Sequence, residues 1–450
     1  MTSCVFSLFF LLSLCSSITA DGPTGLKVRI TDKATELLKA SGLKYLRELV
    51  NKPSQDIPGL KCYIKQFTLT RLDVNPNDVV VRFQPGSGLQ FEFRDLSFTA
   101  EFQREICMFK RNFLKGPAVL TGERVGVTIG VRLIQPEGRL RLKIPPGDSG
   151  CKIQADSIRV DSTGIVGLLL TAVQLRGYIQ NQFTSLFCPA VRDLVVPYVN
   201  TMLLDLDMES TLSEGHKINL HYYLSRDVTV TSNSLDVPFT GIVYQDYHDD
   251  RIPELPAPFV EPVFTDKESN LMAYLGVSED LFKTAGWALY NHGPFELDSS
   301  EAKSFINFFL KNVGLRKGPL QVELTKLPVI NIDNNGLSVN VEAIAQSLVD
   351  PPPPPLPVEC HFRIKVKMNG RRLILQSSSF SKCDAKPGTK KGKFAVVLAK
   401  PIIRLMPSLI KIWFKKGIQI PLPDGLDFTQ TQIDYHPGYL VVGGDLTFTG

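Results

Sequence analysis

The fold is decided by residues 272–286, which read MAYLGVSEDLFKTAG. The apolar run at the start of this stretch ends at Ser278, a residue type that commonly caps helices. Residues 281–286 follow with helical spacing and a glycine at the end. The order predicts a strand, a helix cap, a short helix and a glycine that ends the helix.

The same order occurs near the amino terminus. Ile30, Thr31 and Asp32 lead into LLKASG at residues 37–42, with three more residues between cap and helix than in the later copy. GLQFEF at 88–93 and GLSVNV at 336–341 form a second pair of similar stretches with nearly the same separation. Two matches at one separation predict an internal repeat of two β-rich halves.

The halves meet in the segment 246–262, which contains five acidic residues and four prolines. Prolines donate no backbone hydrogen bond and favour an extended, solvated chain. The segment is therefore predicted to link a domain at 21–245 to a domain at 263–450. With 450 residues in all, each half is long enough to bury a core of its own.

Residues 1–20 have the pattern of a secretory signal, with an apolar core from Val5 to Cys15 and small residues up to Ala20. The mature chain is expected to begin near Asp21 and to be extracellular. No apolar run approaches the roughly 20 residues that a membrane-spanning helix needs. The formal net charge of +5 is spread over both halves, so no nucleic-acid partner is expected.

Apolar residues alternate with polar ones between Lys61 and Ile144, a pattern typical of half-buried antiparallel sheet. The alternation slips at Arg94-Asp95, which predicts a bulge in a long strand. In the second half, alternation up to Asn369-Gly370 and from Arg372 onwards predicts a hairpin with a two-residue turn.

Helical spacing begins after Ser162 and continues from Ile165 to Leu186. The first turns of this helix are apolar on both sides, so the helix is either buried in the core or faces an apolar ligand. Pro189 and Pro197 are predicted to break or kink the apolar stretch that follows. A second helical stretch is predicted at 396–414, so the fold class is α+β.

The sequence carries no template of a known enzyme site. Residues 147–150, GDSG, resemble the nucleophile loop of trypsin-like proteases, but all six histidines follow Ser149, whereas that mechanism needs a histidine well before the serine. The stretch is predicted to be a plain turn. Hydrolase, zinc-protease and nucleotide-binding motifs are absent, so we expect no catalytic residue, metal or cofactor.

Six cysteines remain after removal of the signal, and an oxidising compartment permits disulfides. Pairing within each half joins Cys360 to Cys383 and leaves three arrangements for Cys62, Cys107, Cys151 and Cys188. In the predicted hairpin Cys360 faces Ser379, so its bond to Cys383 needs a bend in the chain.

The stretch 272–286 closely resembles the start of the second domain in the family of bactericidal/permeability-increasing protein and lipopolysaccharide-binding protein. The opening residues 28–30, the proline-rich connector, and the closing stretches 418–422 and 438–444 share the resemblance. It implies an elongated two-domain boomerang, in which two barrel-like antiparallel sheets, each packed with long helices, are joined by a central sheet. It also implies a disulfide between Cys151 and Cys188.

The resemblance further implies one apolar pocket per domain, for the acyl chains of a phospholipid or related amphipathic lipid. The alternative is that the pocket residues only pack in the core. The predicted lining is Ile165, Leu168, Leu169 and Ala172 in the first domain and Leu275, Leu281 and Phe282 in the second.

Two basic loops are candidates for contact with lipopolysaccharide or an anionic membrane, although a charge run is often only a solvated loop. The first contains Arg104, Lys110, Arg111 and Lys115, and the second Lys386, Lys390, Lys391 and Lys393. The matching tip of the bactericidal family member is rich in lysine, whereas Glu101 and Glu105 dilute the charge here. We therefore rank lipid binding or transfer first, lipopolysaccharide binding second and a purely structural role third.

Overall fold

A computed structural model describes residues 22–48, 50, 64–86, 88–108, 111–154, 157–162, 187–188, 191–204, 208–213, 217–245, 259–297, 320–348, 355–377, 382–385, 417–420, 422 and 426–448. These residues form mostly antiparallel sheet, with three α-helices. The helices are α1 Thr35–Glu48, α2 Val196–Leu204 and α3 Glu279–His292. The long helices predicted at 165–186 and 396–414 lie outside the described residues.

Thirteen of the described strands precede the proline-rich segment and eleven follow it. The first group is β1 Leu26–Thr31, β2 Ile64–Val74, β3 Val79–Gln84, β4 Gly88–Met108, β5 Arg111–Ile134, β6 Arg141–Lys143, β7 Cys151–Gln154, β8 Ser157–Ser162, β9 Glu209–Ser213, β10 Ile218–His221, β11 Thr229–Val230, β12 Ser234–Phe239 and β13 Ile242–Gln245. The second group is β14 Ala273–Ser278, β15 Phe295–Leu297, β16 Leu320–Leu324, β17 Val329–Asp333, β18 Gly336–Ser347, β19 Leu356–Asn369, β20 Arg372–Ser377, β21 Lys382–Ala385, β22 Ile418–Gln419, β23 Leu426–His436 and β24 Tyr439–Phe448.

A six-stranded sheet in the order β11-β12-β1-β14-β24-β23 contains strands of both halves. At its centre β1 and β14 run antiparallel, with Val28 opposite Leu275. These two residues are also equivalent positions of the sequence repeat, so an approximate twofold axis passes between them. The central sheet implied by the resemblance is therefore present.

Backbone hydrogen bonds obey the same approximate symmetry. The amide of Thr31 donates to the carbonyl of Met272 at 3.0 Å, and the equivalent amide of Ser278 donates to Gly25 at 2.9 Å. The hairpin β11–β12 corresponds to the hairpin β23–β24. Thr229 lies opposite Asp236 in the first hairpin, and at the equivalent positions of the second hairpin Asp434 lies opposite Val441. The predicted internal repeat is confirmed at the level of strand pairing.

Both strand-to-helix units of the repeat have the predicted caps, but their glycines do not end the helices. The hydroxyl of Thr31 accepts from Lys33 and that of Ser278 from Asp280. The three extra residues of the first copy form a 3-10 turn before α1. Helix α3 continues beyond Gly286 to His292. Gly286 is instead a position of close packing, where a Cβ atom would lie 3.1 Å from the Ile330 side chain.

The first-half sheet is built on the long hairpin β4–β5, with β2, β3, β6, β7 and β8 paired to its two strands. The predicted bulge is present, because the register shifts between Phe93, opposite Val127, and Leu96, opposite Val125. The GDSG stretch is a turn, as predicted, in which the amide of Gly150 donates to the carbonyl of Gly147 at 3.1 Å.

The predicted hairpin at Asn369-Gly370 is present, but its turn lies one residue later, so each residue of β19 faces a partner two residues further along the chain than predicted. Asn369 pairs with Arg372, so the turn residues are Gly370, with a φ of 55° that glycine adopts readily, and Arg371. Beyond Ser377 the chain has two residues more than regular pairing needs, and β21 therefore places Cys383 directly opposite Cys360. Cys360 is disulfide-bonded.

The proline-rich segment differs from its prediction at its carboxyl end. Residues 246–258 lie outside the described part of the chain, but residues 259–262 pack against the central sheet, and Pro262 is buried. The amide of Val260 donates to a carboxylate oxygen of Asp280 at 2.8 Å. The end of the segment is thus attached to the central sheet by hydrogen bonds rather than solvated. The domain boundaries remain predictions.

Proline 197 lies in the first turn of α2, directly after a π-helical turn at Val191–Val195. Proline is tolerated there because the first amides of a helix have no partner within the helix. The predicted interruption at Pro197 is therefore a change of helix type just before this residue, whereas Pro189 lies outside the described residues.

Candidate functional site

The buried face of the first-half sheet is continuously apolar. Successive side chains of a strand point to opposite faces, so every second residue of β4 and β5 contributes to it. Its buried cluster consists of Phe98, Ala100, Phe102, Ala118, Leu120, Val125, Val127 and Ile158. The face is therefore suited to contact either helices or the acyl chains of a lipid.

Small residues make room on this face for large ones. A Cβ atom added at Gly122 would lie 2.4 Å from the Phe98 ring, so the ring covers the glycine backbone. Ala100 and Ala118 lie opposite Leu120 and Phe102 in the neighbouring strand. The small residues thus determine where the large apolar side chains can lie on the sheet.

A disulfide between Cys151 and Cys188, with Cα atoms 5.6 Å apart, ties the chain after residue 186 to strand β7. This is the bond that the family resemblance implied. The adjoining Phe187 packs against the apolar cluster. The disulfide and Phe187 together attach residues 187–188, which follow the segment 163–186, to the apolar face.

The four residues predicted to line the first pocket lie in that segment, outside the described residues, and their role stays a prediction. Those predicted for the second half are described. Leu275 and Leu281 have no exposed surface and Phe282 is 4% exposed, all within the largest hydrophobic cluster. They line the junction of α3 with the central sheet, and their contact with lipid stays a prediction.

The second-half sheet also has a continuous buried apolar face, which sequence reasoning did not propose as lipid-contacting. The alternation of residues 362–368 was the signal for it. Its members on β18, β19, β20 and β22 are Val341, Ala343, Val358, Cys360, Phe362, Ile364, Val366, Leu373, Leu375 and Ile418.

A buried polar cluster lies where α3 begins. A carboxylate oxygen of Glu279 accepts from the amide of Ile332 at 3.0 Å, and Lys283 donates to Glu279 at 2.7 Å and to Asp280 at 3.0 Å. Burial by itself lowers the pKa of Lys283, but the hydrogen bonds and charges of Glu279 and Asp280 outweigh it and raise that pKa above 10.5. The cluster ties α3 to β17 and to the end of the proline-rich segment.

The structure places the backbone of three of the predicted surface cations at one end of the β4–β5 hairpin. Arg111 lies opposite Met108, Lys115 opposite Glu105, and Arg104 opposite Gly116. Lys110 and the four lysines of the second basic loop lie outside the described residues.

The described residues show neither a membrane-spanning helix nor a metal-binding cluster. No described helix is long and apolar enough to cross a membrane. In the same part of the chain, no group of three or more histidine, cysteine or acidic side chains is arranged to hold a metal ion.

Residues 213–448 match the sequence model of the LBP / BPI / CETP family, C-terminal domain. Phospholipid transfer protein of Homo sapiens is 25% identical over 477 residues, which cover 97% of this chain and 92% of that relative. BPI fold-containing family C protein of Homo sapiens is 22% identical over 483 residues, covering 98% and 92%. The crystal structure of lipopolysaccharide binding protein matches the fold with a TM-score of 0.56 at 18% identity, covering 95% of this chain and all of that one.

Proposed function

The chain belongs to the LBP / BPI / CETP family, and from that premise we propose that it is a secreted lipid-binding and lipid-transfer protein. In each half an apolar pocket holds the acyl chains of a phospholipid. We further propose that the protein is not an enzyme and that lipid exchange involves no covalent step. The relative named a phospholipid transfer protein, which aligns over nearly the whole chain, supports lipid as the cargo.

The observation that carries this proposal is the pair of apolar sheet faces, one in each half. Both continue over several neighbouring strands, and in the first half a disulfide holds Phe187 against the face. Acyl chains bind by burial of apolar surface, at about 25 cal/mol per Å², so a long apolar face can retain a phospholipid without charged partners.

Native mass spectrometry of the secreted protein, with extraction of the lipid that travels with it, tests the proposal. The expected result is phospholipid bound at up to two molecules per chain. A Leu168→Trp variant should carry less lipid at a nearly unchanged melting temperature, because the indole fills space otherwise taken by an acyl chain.

In a filled core the same change would instead overpack and cost about 1 to 3 kcal/mol of unfolding free energy. Leu168→Ile, which conserves volume, is the matched control. Full lipid occupancy in Leu168→Trp together with a lower melting temperature would show that the residue only packs.

Lipopolysaccharide binding is the second candidate function, favoured by the clustering of basic residues at the end of the β4–β5 hairpin. Changing Arg104, Lys110, Arg111 and Lys115 to glutamine is expected to weaken lipopolysaccharide binding. The equivalent change of Lys386, Lys390, Lys391 and Lys393 is expected to weaken binding to anionic liposomes instead. Unchanged binding in both variants, at two salt concentrations, would remove both loops as docking surfaces.

A further inference from the structure

Strand β19 carries a row of cations on its solvent-facing side. Arg363, Lys365 and Lys367 are exposed and alternate with the buried side chains of the apolar face. At the end of the same side, Arg372 of β20 is exposed opposite Asn369. We call Arg363, Lys365, Lys367 and Arg372 the basic stripe; from Arg363 to Asn369 it extends over about 20 Å, at roughly 3.4 Å per residue.

The three β19 cations of the stripe are not neutralised by the fold. Within the described part of the chain, none of them makes an ion pair or a side-chain hydrogen bond. Their neighbours in the adjacent strands are uncharged: Ser338 lies opposite Arg363, Gln376 opposite Lys365 and Ile374 opposite Lys367. Like charges at alternate positions of one strand repel one another, so the row is not explained by stability.

Several other cations on the described strands pair with acids. On β1, Lys27 pairs with Glu261 at 3.3 Å and Arg29 with Asp236 at 2.7 Å. On the first-half sheet, the cations Arg71, Arg82 and Arg94 each pair with an acid. Single cations without an ion pair also occur on the first-half sheet, among them Arg132, Lys152 and Arg159, but within the described part of the chain only β19 carries three at alternate positions of one strand.

The outer face of the second-half sheet is also polarised along its strands. Glu359 and Glu342 lie opposite each other at the end of β19 away from the hairpin turn, and Lys326 pairs with Glu342 at 3.0 Å. Positive charge is therefore concentrated at the end of the sheet that carries the β19–β20 turn.

We propose that the basic stripe docks the second half of the protein on the headgroups of an anionic phospholipid bilayer. The stripe lies on two neighbouring strands of a sheet face, a shape that fits a plane of phosphates, and it combines lysine charge with arginine forks that bind phosphate oxygens in pairs. It contains no exposed aromatic side chain, so docking is by surface attraction and not by insertion. The proposal rests on the proposed lipid-transfer function, which requires the protein to reach membranes.

The test uses the full-length secreted protein and vesicles of phosphatidylcholine with 25% phosphatidylserine, compared with phosphatidylcholine alone, at low and physiological salt. The stripe variant is Arg363→Gln, Lys365→Gln and Lys367→Gln. The control variant is Arg71→Gln, Arg82→Gln and Arg94→Gln, which changes the net charge by the same amount at exposed positions of the other sheet.

Each cation near an anionic surface strengthens binding about fivefold, so the stripe variant should bind anionic vesicles on the order of 100-fold more weakly at low salt. The control should change by much less, and raising the salt should shrink the difference. Equal weakening of both variants would reduce the effect to net charge and overturn the proposal, as would parent-like binding of the stripe variant.

A heparin column tests whether the basic stripe recognises a linear sulfated polyanion instead of a membrane. If the stripe variant elutes at lower salt from heparin but binds vesicles like the parent, the stripe recognises a linear sulfated chain, and the membrane proposal is wrong. Phospholipid that copurifies with each variant is measured in parallel. If the parent retains lipid and the stripe variant binds vesicles as the parent does, the docking proposal is wrong but the proposed function stands. If the parent carries no lipid, the proposed function is wrong.

Discussion

The two strand-to-helix units on either side of the central twofold axis share the order of strand, cap and helix but carry different charges. In the first unit Asp32 and Lys33 are exposed, and Lys39 pairs with an exposed carboxylate, that of Glu36. In the second unit Glu279 and Asp280 are buried, and both accept hydrogen bonds from the backbone of other segments. The repeat therefore retains the path of the chain while its polar contacts have diverged.

The difference shows what the second unit holds in place. Its acids bind the amides of Val260 and Ile332, and the amide of Glu279 donates to the carbonyl of Gly438 in the β23–β24 turn. The first unit keeps the equivalent of the last bond, from Asp32 to Asn233, but none of its described side chains replaces the other two. Three segments of the chain, at Val260, Ile332 and Gly438, thus meet at the start of α3.

Of the changes that distinguish the two units, loss of the Asp280 carboxylate is expected to lower the unfolding free energy most. The Asp280→Ala change leaves the amide of Val260 without an acceptor and removes one partner of Lys283, at a site with no exposed surface. Breaking a buried charged network typically costs about 3 to 5 kcal/mol of unfolding free energy. Chemical denaturation followed by tryptophan fluorescence measures it.

The matched control is Asp32→Ala in the first unit, where the carboxylate is exposed. It should lose about 0.3 to 1 kcal/mol, the usual contribution of an acid in the first turn of a helix. Similar losses of unfolding free energy in the two variants would mean that the buried cluster stabilises the protein no more than an exposed acid in the first turn of a helix does.

Close packing of α3 on β17 gives the next prediction. A Gly286→Val side chain would press on Ile330 and Pro328, so we expect a loss of about 1 to 3 kcal/mol in unfolding free energy. Gly286→Ala should lose less, because a single Cβ atom displaces only the end of the Ile330 side chain and alanine favours helix. A stable Gly286→Val variant would show that α3 and β17 are not held at their close distance.

The caps are expected to show where the two units remain alike. The Thr31 hydroxyl donates to the carbonyl of Leu271 at 2.6 Å, and the Ser278 hydroxyl donates to that of Val260 at the same distance. Ser278→Ala and Thr31→Val should each lose about 1 kcal/mol of unfolding free energy. A much larger loss at Ser278 would extend the difference between the units from their acids to their caps.

Local patterns predicted the features that depend on local rules. The repeat, the bulge beside Arg94 and the caps at Thr31 and Ser278 follow from alternation, spacing and short-range hydrogen bonding, so they could be found from sequence. Helix ends could not, because Gly286 serves the packing of α3 on Ile330, a contact that the sequence does not display.

The candidate site was less predictable for the same reason. Burial of Asp280 and Glu279 depends on Val260 and Ile332, which approach these two acids only once the central sheet has formed. The apolar sheet faces were visible as alternation, but nothing in the sequence separates a face that packs on helices from one that contacts lipid. The basic stripe does not stand out as a run of charge in the sequence, because its cations alternate with core residues.

Alkaline pH offers the smallest and most specific test of the buried cluster. Glu279 and Asp280 hold the pKa of Lys283 above its ordinary 10.5 despite the opposing effect of burial. A raised folded-state pKa means that the ion pairs contribute their full stability below pH 10.5 and lose it as the pH rises through the folded-state pKa. The unfolding free energy of the parent should therefore fall more steeply above pH 10.5 than that of a Lys283→Met variant. Denaturant midpoints between pH 8 and 11.5 measure the two slopes, and parallel slopes would show that Lys283 is not held by the two acids in solution.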